Sequence, residues 1–207
     1  MDLQPIVRGY QKGEFGKMYK GIFLLIGILS IQGCQEEPPL IPAKIGNAGS
    51  LNGKYGIRDL SLQTVNGGWV NFGYGAVSGY PGASADIGKM GVPAFIEGTW
   101  RKGWDGDKHE YFSIALPIDS KLAEQKMRTL QGYYQSFKPY RGAMQVLVED
   151  ERVVVMYSLG CYEYRMDCTA KPEADPNGWV TMSPNNTTEV VVLFDGKGER
   201  IPKPTRG

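Results

Sequence analysis

The chain has 207 residues, with 23 Lys and Arg against 22 Asp and Glu and a formal net charge of +1. That is long enough for one domain with a real core, and the balanced charge gives no electrostatic footprint for nucleic acid. The 28 Gly and 13 Pro point to many turns and short strands, hence a β-rich domain.

Residues 1–17 carry no clear pattern and read as an over-extended start, with Met18 the more natural initiator. Lys17 and Lys20 precede Gly21–Ile31, which is almost purely apolar. The run is too short for a permanent span, which takes about 20 apolar residues. Residues 1–33 therefore read as a secretory signal peptide. The run ends Ile31-Gln32-Gly33-Cys34, an aliphatic residue and then a small residue directly before a cysteine. This resembles the bacterial lipobox, with Gln32 where Ser or Ala is more usual. The resemblance implies that Cys34 is acylated and becomes the first mature residue. Gln35 is not the Asp that retains lipoproteins at the inner membrane, which implies the periplasmic face of the outer membrane. The competing reading is a buried helix with a free cysteine. Removing residues 1–33 takes away Arg8, Lys12, Lys17 and Lys20 with Asp2 and Glu14, leaving a net charge of about −1.

Residues 34–46 read as a lipidated cysteine and a polar, Pro-rich tether, and 47–200 as a single domain. Tyr55–Val65 alternates weakly and predicts a strand, irregular near Arg58-Asp59. Asn66-Gly67-Gly68 then offers a hairpin turn into Trp69–Tyr74. Gly75–Gly91 is rich in Gly, Ser, Pro and Ala, with neither dinucleotide-fingerprint spacing nor a complete nucleophile elbow, and reads as a surface loop. Val92–Trp100 predicts a core strand, Arg101–Asp107 a turn and Glu110–Leu116 another strand. Asp105 and Asp107 lack the further ligands of a calcium loop.

Asp119–Phe137 predicts the principal helix, capped by Asp119 or Ser120. Its apolar stripe is Ala123, Met127, Leu130, Tyr134 and Phe137, with Glu124 and Arg128 paired on the wet face. Met144–Val148 and Arg152–Leu159 form a second hairpin around Glu149-Asp150-Glu151. Asp175-Pro176-Asn177-Gly178 turns into a strand at Trp179–Met182. Glu189–Phe194 is the last strand, closed by Asp195-Gly196-Lys197-Gly198, and 201–207 reads as a loose tail. The order predicts an α+β domain, a mainly antiparallel β-sheet with one amphipathic helix packed on it.

With Cys34 taken by lipid, Cys161 and Cys168 remain as an even pair with six residues between them. In an oxidising compartment a local disulfide is expected, against two free thiols. A metal site needs more ligands than this pair and the sole histidine, His109, supply, so neither metal nor cofactor is expected. Any Ser-His-Asp or Cys-His arrangement would have to use His109, which reads as solvated beside a charged turn. No catalytic residue is assigned. Trp100, Trp104 and Tyr111 lie near turns and are candidate partner-binding anchors, the alternative being that they fill the core.

The mature chain resembles the small immunity lipoproteins paired with type VI secretion phospholipase effectors. The carrying features are the lipobox at Cys34, the strand and turn Leu60–Trp69 with Val65-Asn66-Gly67, and the glycine-rich stretch after it. The resemblance implies a non-enzymatic periplasmic protein that neutralises a lipase-type toxin by occluding it. Its expected contacts are a protein partner, a phospholipase effector, and the membrane through the anchor. A structural or envelope-assembly lipoprotein binding cell-wall or outer-membrane components is the alternative, and a carboxylate-using hydrolase a third class. Cys34→Ser is expected to abolish lipidation. Radiolabelled palmitate enters the wild type and not the variant; equal labelling of both removes the anchor.

Overall fold

The computed structural model describes residues 43–103, 108–135, 142–161 and 167–204. Cys34, the signal peptide, Trp104 and Phe137 lie outside the described residues. In chain order the strands are β1 (Ala43–Ser50), β2 (Lys54–Ile57), β3 (Ser61–Thr64), β4 (Trp69–Asn71), β5 (Val77–Ser78), β6 (Ala83–Met90), β7 (Pro93–Lys102) and β8 (Glu110–Pro117). Helix α1 (Ser120–Gln131) follows, then β9 (Gly142–Glu149), β10 (Arg152–Leu159), β11 (Val180–Met182), β12 (Glu189–Lys197) and β13 (Glu199–Ile201).

Two sheets result. One has six strands in the order β11-β12-β10-β9-β1-β6. The other has seven: β13-β8-β7-β2-β5, with β3 also on β7 and β4 on β3. Every pairing is antiparallel except β1 on β9, which is parallel. The α+β, mainly antiparallel class is therefore the observed one. Alternation along each strand sends one set of side chains inward. Ile57, Ile96 and Phe112 from the seven-stranded sheet meet Val146, Val155 and Leu193 from the six-stranded sheet in one buried cluster.

Tyr55–Val65 is not one strand but two, β2 and β3, which pair with different lengths of β7. The break has a steric partner. Gly98 in β7 has φ +144°, and a Cβ there would lie 2.2 Å from the Asp59 carbonyl oxygen. Only glycine lets the chain cross there. The 66–68 turn joins β3 to β4, with Gly67 at φ +81°.

The stretch expected as a loop, Gly75–Gly91, contains β5 and β6. β6 is an edge strand on β1, with mostly exposed side chains, so its polar and glycine-rich sequence carries no apolar alternation. β1 itself opens at Ala43, inside the stretch expected as tether. Its Gly46-Asn47-Ala48-Gly49-Ser50 run is buried on both faces. A Cβ on Gly49 would meet the Gly79 carbonyl oxygen at 2.7 Å and Leu147 at 2.9 Å. At the other end β12 continues through Lys197, past the turn expected at Asp195, and Ile201 pairs with Tyr111 as the end of β13.

The Asp119 carboxylate accepts from the Leu122 N–H at 3.0 Å and caps α1. Ala123, Met127 and Leu130 are buried, while Glu124 and Arg128 pair at 2.6 Å on the exposed side. The helix stops at Gly132, short of Phe137. Beyond it the chain runs beside 169–171: Gln135 N–H donates to the Thr169 carbonyl and Lys171 N–H to the Tyr133 carbonyl. Tyr134 is buried outside the helix, its hydroxyl 2.6 Å from Glu189. Cys161 and Cys168 are joined in a disulfide just before this segment.

One turn locks the sheets together. Asp150, between β9 and β10, has φ +51°. Its carbonyl accepts from the Trp100 indole N–H at 2.8 Å, and its N–H donates to the Tyr55 hydroxyl at 2.8 Å. That hydroxyl donates in turn to Asn52 Oδ1 at 2.6 Å. The Asp150 carboxylate accepts from Lys102 Nζ and from Asn52 Nδ2.

Two predictions follow from these contacts. Leu130→Asp puts a charge in the core and is expected to cost more than about 3 kcal/mol. Glu124→Ala is expected to cost no more than about 0.5 kcal/mol. Thermal melts that rank the two equal overturn the assigned helix face. For Asp150, the hydrogen bond from Lys102 holds the carboxyl below its ordinary value of 3.8. A depressed carboxylate stabilises the fold above that value and loses its contribution as pH falls through the folded pKa. Asp150→Asn, which keeps the left-handed turn accessible, is expected to lower Tm at neutral pH. The gap from wild type should close on acidification below about pH 4. A gap independent of pH overturns the ion-pair contribution.

Candidate functional site

The same alternation that buries one face of the seven-stranded sheet defines the other. Ile96 and Trp100 point inward from β7, so Phe95, Glu97, Thr99 and Arg101 take the outer face. On β8, Phe112 and Ile114 are inward, leaving Tyr111 and Ser113 outside. Register places Gly56, Arg101, Tyr111 and Ile201 in one row, and Trp69, Gln63, Phe95 and Pro117 in another.

The first row floors a cleft of about 790 Å³. Arg58 and Asp59 come from the crossing between β2 and β3, Arg101 from β7 and His109 from the residues leading into β8. Tyr111 lies on β8, and Lys203 follows β13. Arg101 lies across Gly56: a Cβ there would fall 2.8 Å from the Arg101 Nε and 3.0 Å from the Gly75 carbonyl oxygen. The missing side chain is what seats the guanidinium. Three cationic side chains and one carboxylate stand among the described lining residues.

His109 departs from the expectation of a solvated side chain. Its ring meets Tyr111 edge-on, centroids 6.2 Å apart, and its Nδ1 is buried with no hydrogen-bond partner among the described residues. A buried polar group left unpaired costs about 1–3 kcal/mol, a local cost that this wall of the cleft carries. A smaller hollow of about 470 Å³ lies against the same His109, Tyr111 and Lys203, with Arg200 at its rim in an ion pair with Glu110.

Of the three aromatics expected as anchors, Tyr111 lines this cleft. Trp100 also borders the cleft, but at 2 % exposed its ring stacks on Phe112 in the core and is no surface anchor; its parity with Ile96 turns it inward. Trp104 lies outside the described residues. The exposed aromatic is instead Trp69, at 50 %, on edge strand β4, with Val65 exposed at the preceding turn. The signal for it lay in the hairpin: β4 alternates Trp69, Val70, Asn71, and only Val70 packs against the core.

Chemically the face offers an apolar anchor at one end and a cationic, hydrogen-bonding cleft at the other. The rows between hold Ser61, Asn71, Thr99 and Ser113 together with Ala115 and two carboxylates, Glu97 and Glu199. Among the described residues no three His, Cys, Asp or Glu side chains gather as a metal site. No protein-family model, curated protein or solved structure matches this chain.

Proposed function

We propose that this protein is a lipid-anchored binding protein of the cell envelope. It neutralises a secreted lipase-type toxin by occluding it, with no chemistry of its own. The observation that supports binding is the outer face of the seven-stranded sheet. It combines an exposed tryptophan with an arginine-lined cleft, and Trp, Tyr and Arg are the residues enriched at interface hot spots. The lipobox at Cys34 supports the address, and the resemblance of Leu60–Trp69 and the following glycine-rich stretch supports the toxin class.

Occlusion is mechanically simple. A lipase must reach lipid, and an inhibitor on its cleft or membrane-docking face blocks the approach. Tethering at Cys34 holds the inhibitor near the bilayer and raises its effective concentration there. A stable complex needs at least about 1,000 Å² of buried surface.

A competition assay tests the reading. Cells lacking this protein are expected to be killed by sister cells delivering the cognate effector, and expression of the lipidated protein rescues them. Trp69→Ala is expected to weaken the complex by about 2 kcal/mol or more, read as a Kd by calorimetry. A deletion that confers no sensitivity to any effector but disturbs the envelope in isolated culture overturns immunity in favour of envelope assembly.

A further inference from the structure

We infer that the cleft between Arg58, Arg101, His109 and Lys203 is a binding site for a phosphate group carried on a small molecule or lipid headgroup. The same cleft supports the toxin-neutralising reading, and titration with phosphate compounds alone tests this site without any toxin, so failure of one is distinguishable from failure of the other.

Donors reach the cleft from four separate parts of the chain: the β2–β3 crossing, β7, the approach to β8 and the segment after β13. A carboxylate is satisfied by one forked guanidinium. A phosphate monoester presents three peripheral oxygens and up to two charges, and a diester two oxygens and one charge, each oxygen accepting from more than one side, so both use several donors. Arg58 and Lys203 bring two cations from opposite ends of the domain against the one carboxylate, Asp59, among the described lining residues, and this favours such an anion. Arg101 is seated by the absent side chain at Gly56, which fixes one donor in advance. His109 lines the same wall with its ring edge-on to Tyr111.

Size and the one acid narrow the class. About 790 Å³ is within the range of sites for organic ligands and more than a bare ion needs. Asp59 repels the phosphate itself but can accept from a hydroxyl on the same ligand. A hydroxyl-bearing phosphate ester, such as a glycerol phosphate or a phosphatidylglycerol headgroup, meets both demands.

His109 is the only histidine in the chain, so its imidazole resonances report on the cleft without competing signals. The full chain in detergent micelles, at constant pH and ionic strength, is titrated with inorganic phosphate, glycerol 1-phosphate, short-chain phosphatidylglycerol and an acidic peptide in turn. Saturable shifts with at least one of the phosphate compounds are expected. Tighter binding of the short-chain lipid assigns the site to a headgroup, and tighter binding of the soluble compounds to a free phosphate ester.

The double variant Arg58→Gln/Lys203→Gln is expected to bind at least about tenfold more weakly. Lys44→Gln/Lys89→Gln, which removes the same charge from β1 and β6 of the other sheet, should bind as wild type does. Gly56→Ala, which displaces Arg101, should weaken binding while the far-ultraviolet spectrum and melt show a folded protein. If Gly56→Ala melts early, the Arg58/Lys203 pair against its charge-matched control decides. No saturable shift with any phosphate compound overturns the site. So does equal weakening in the charge-matched control, which marks a diffuse ionic effect. A response to the acidic peptide alone replaces the phosphate with a protein partner's carboxylates.

Discussion

The structure hangs on the turn at Asp150. Two sheets that share a core still need their strand ends held, because apolar contact is non-directional and does not by itself fix how one sheet sits on another. Asp150 supplies direction. Its N–H, carbonyl and carboxylate are each engaged by residues of the opposite sheet or the loop leading into it: Tyr55, Trp100, Lys102 and Asn52. The next residue adds a second tie, Gly198 N–H donating to the Glu151 carbonyl at 2.7 Å. At the far side the Tyr74 hydroxyl donates to the Gly46 carbonyl at 2.6 Å, joining the stretch after β4 to β1. Trp100 is central to this arrangement. Its ring fills the core while its one polar atom is satisfied by the Asp150 backbone, which resolves the usual conflict of a buried indole.

Close backbone approaches then decide which residues each strand carries. After Ile45, β1 threads between β6 and β9 with other chain segments pressed on Gly46 and Gly49, so larger side chains do not fit at those two positions. Gly98 admits the β2–β3 crossing, and that crossing delivers Arg58 and Asp59 to the outer face. Gly56 admits Arg101. The cleft is thus a by-product of two missing side chains, and Arg101 within it sits on β7, a strand clamped from behind by the Asp150 turn. Lys102, which holds Asp150, is the immediate neighbour of Arg101, which lines the cleft.

The parts legible in the sequence are those where local pattern and tertiary demand agree. The β3–β4 hairpin, the strands at Val92–Trp100 and Glu110–Leu116, the buried stripe of α1 and the Val-rich β9–β10 pair all follow from alternation or helical spacing. β1 and β6 were not legible, for opposite reasons. β1 is too crowded for large apolar residues, and β6 is too exposed to need them. The helix end was misplaced because Tyr134 continues the helical spacing, yet Gly132 ends the helix and Tyr134 is buried by strand-like pairing with Ala170. Glycine costs about 1 kcal/mol relative to alanine inside a helix, and at Gly132 that outweighed the periodicity.

The candidate site was less legible than the fold, since composition near turns says nothing of which face a side chain takes. Trp100 and Ile96 are four apart in a strand, so they share a face, and the apolar Ile96 makes that face the core. The same parity rule turns Arg101 and Tyr111 outward and, applied to β4, Trp69 as well. What parity does not supply is convergence. Arg58, His109 and Lys203 are far apart in sequence, each in an irregular segment or beside one, and only sheet order brings β13, β8, β7 and β2 side by side. A cleft assembled this way, from segment ends over a rigid sheet, leaves its lining free to vary while the Asp150 clasp behind it stays fixed. That division between clamped frame and open face suits a protein whose work is recognition.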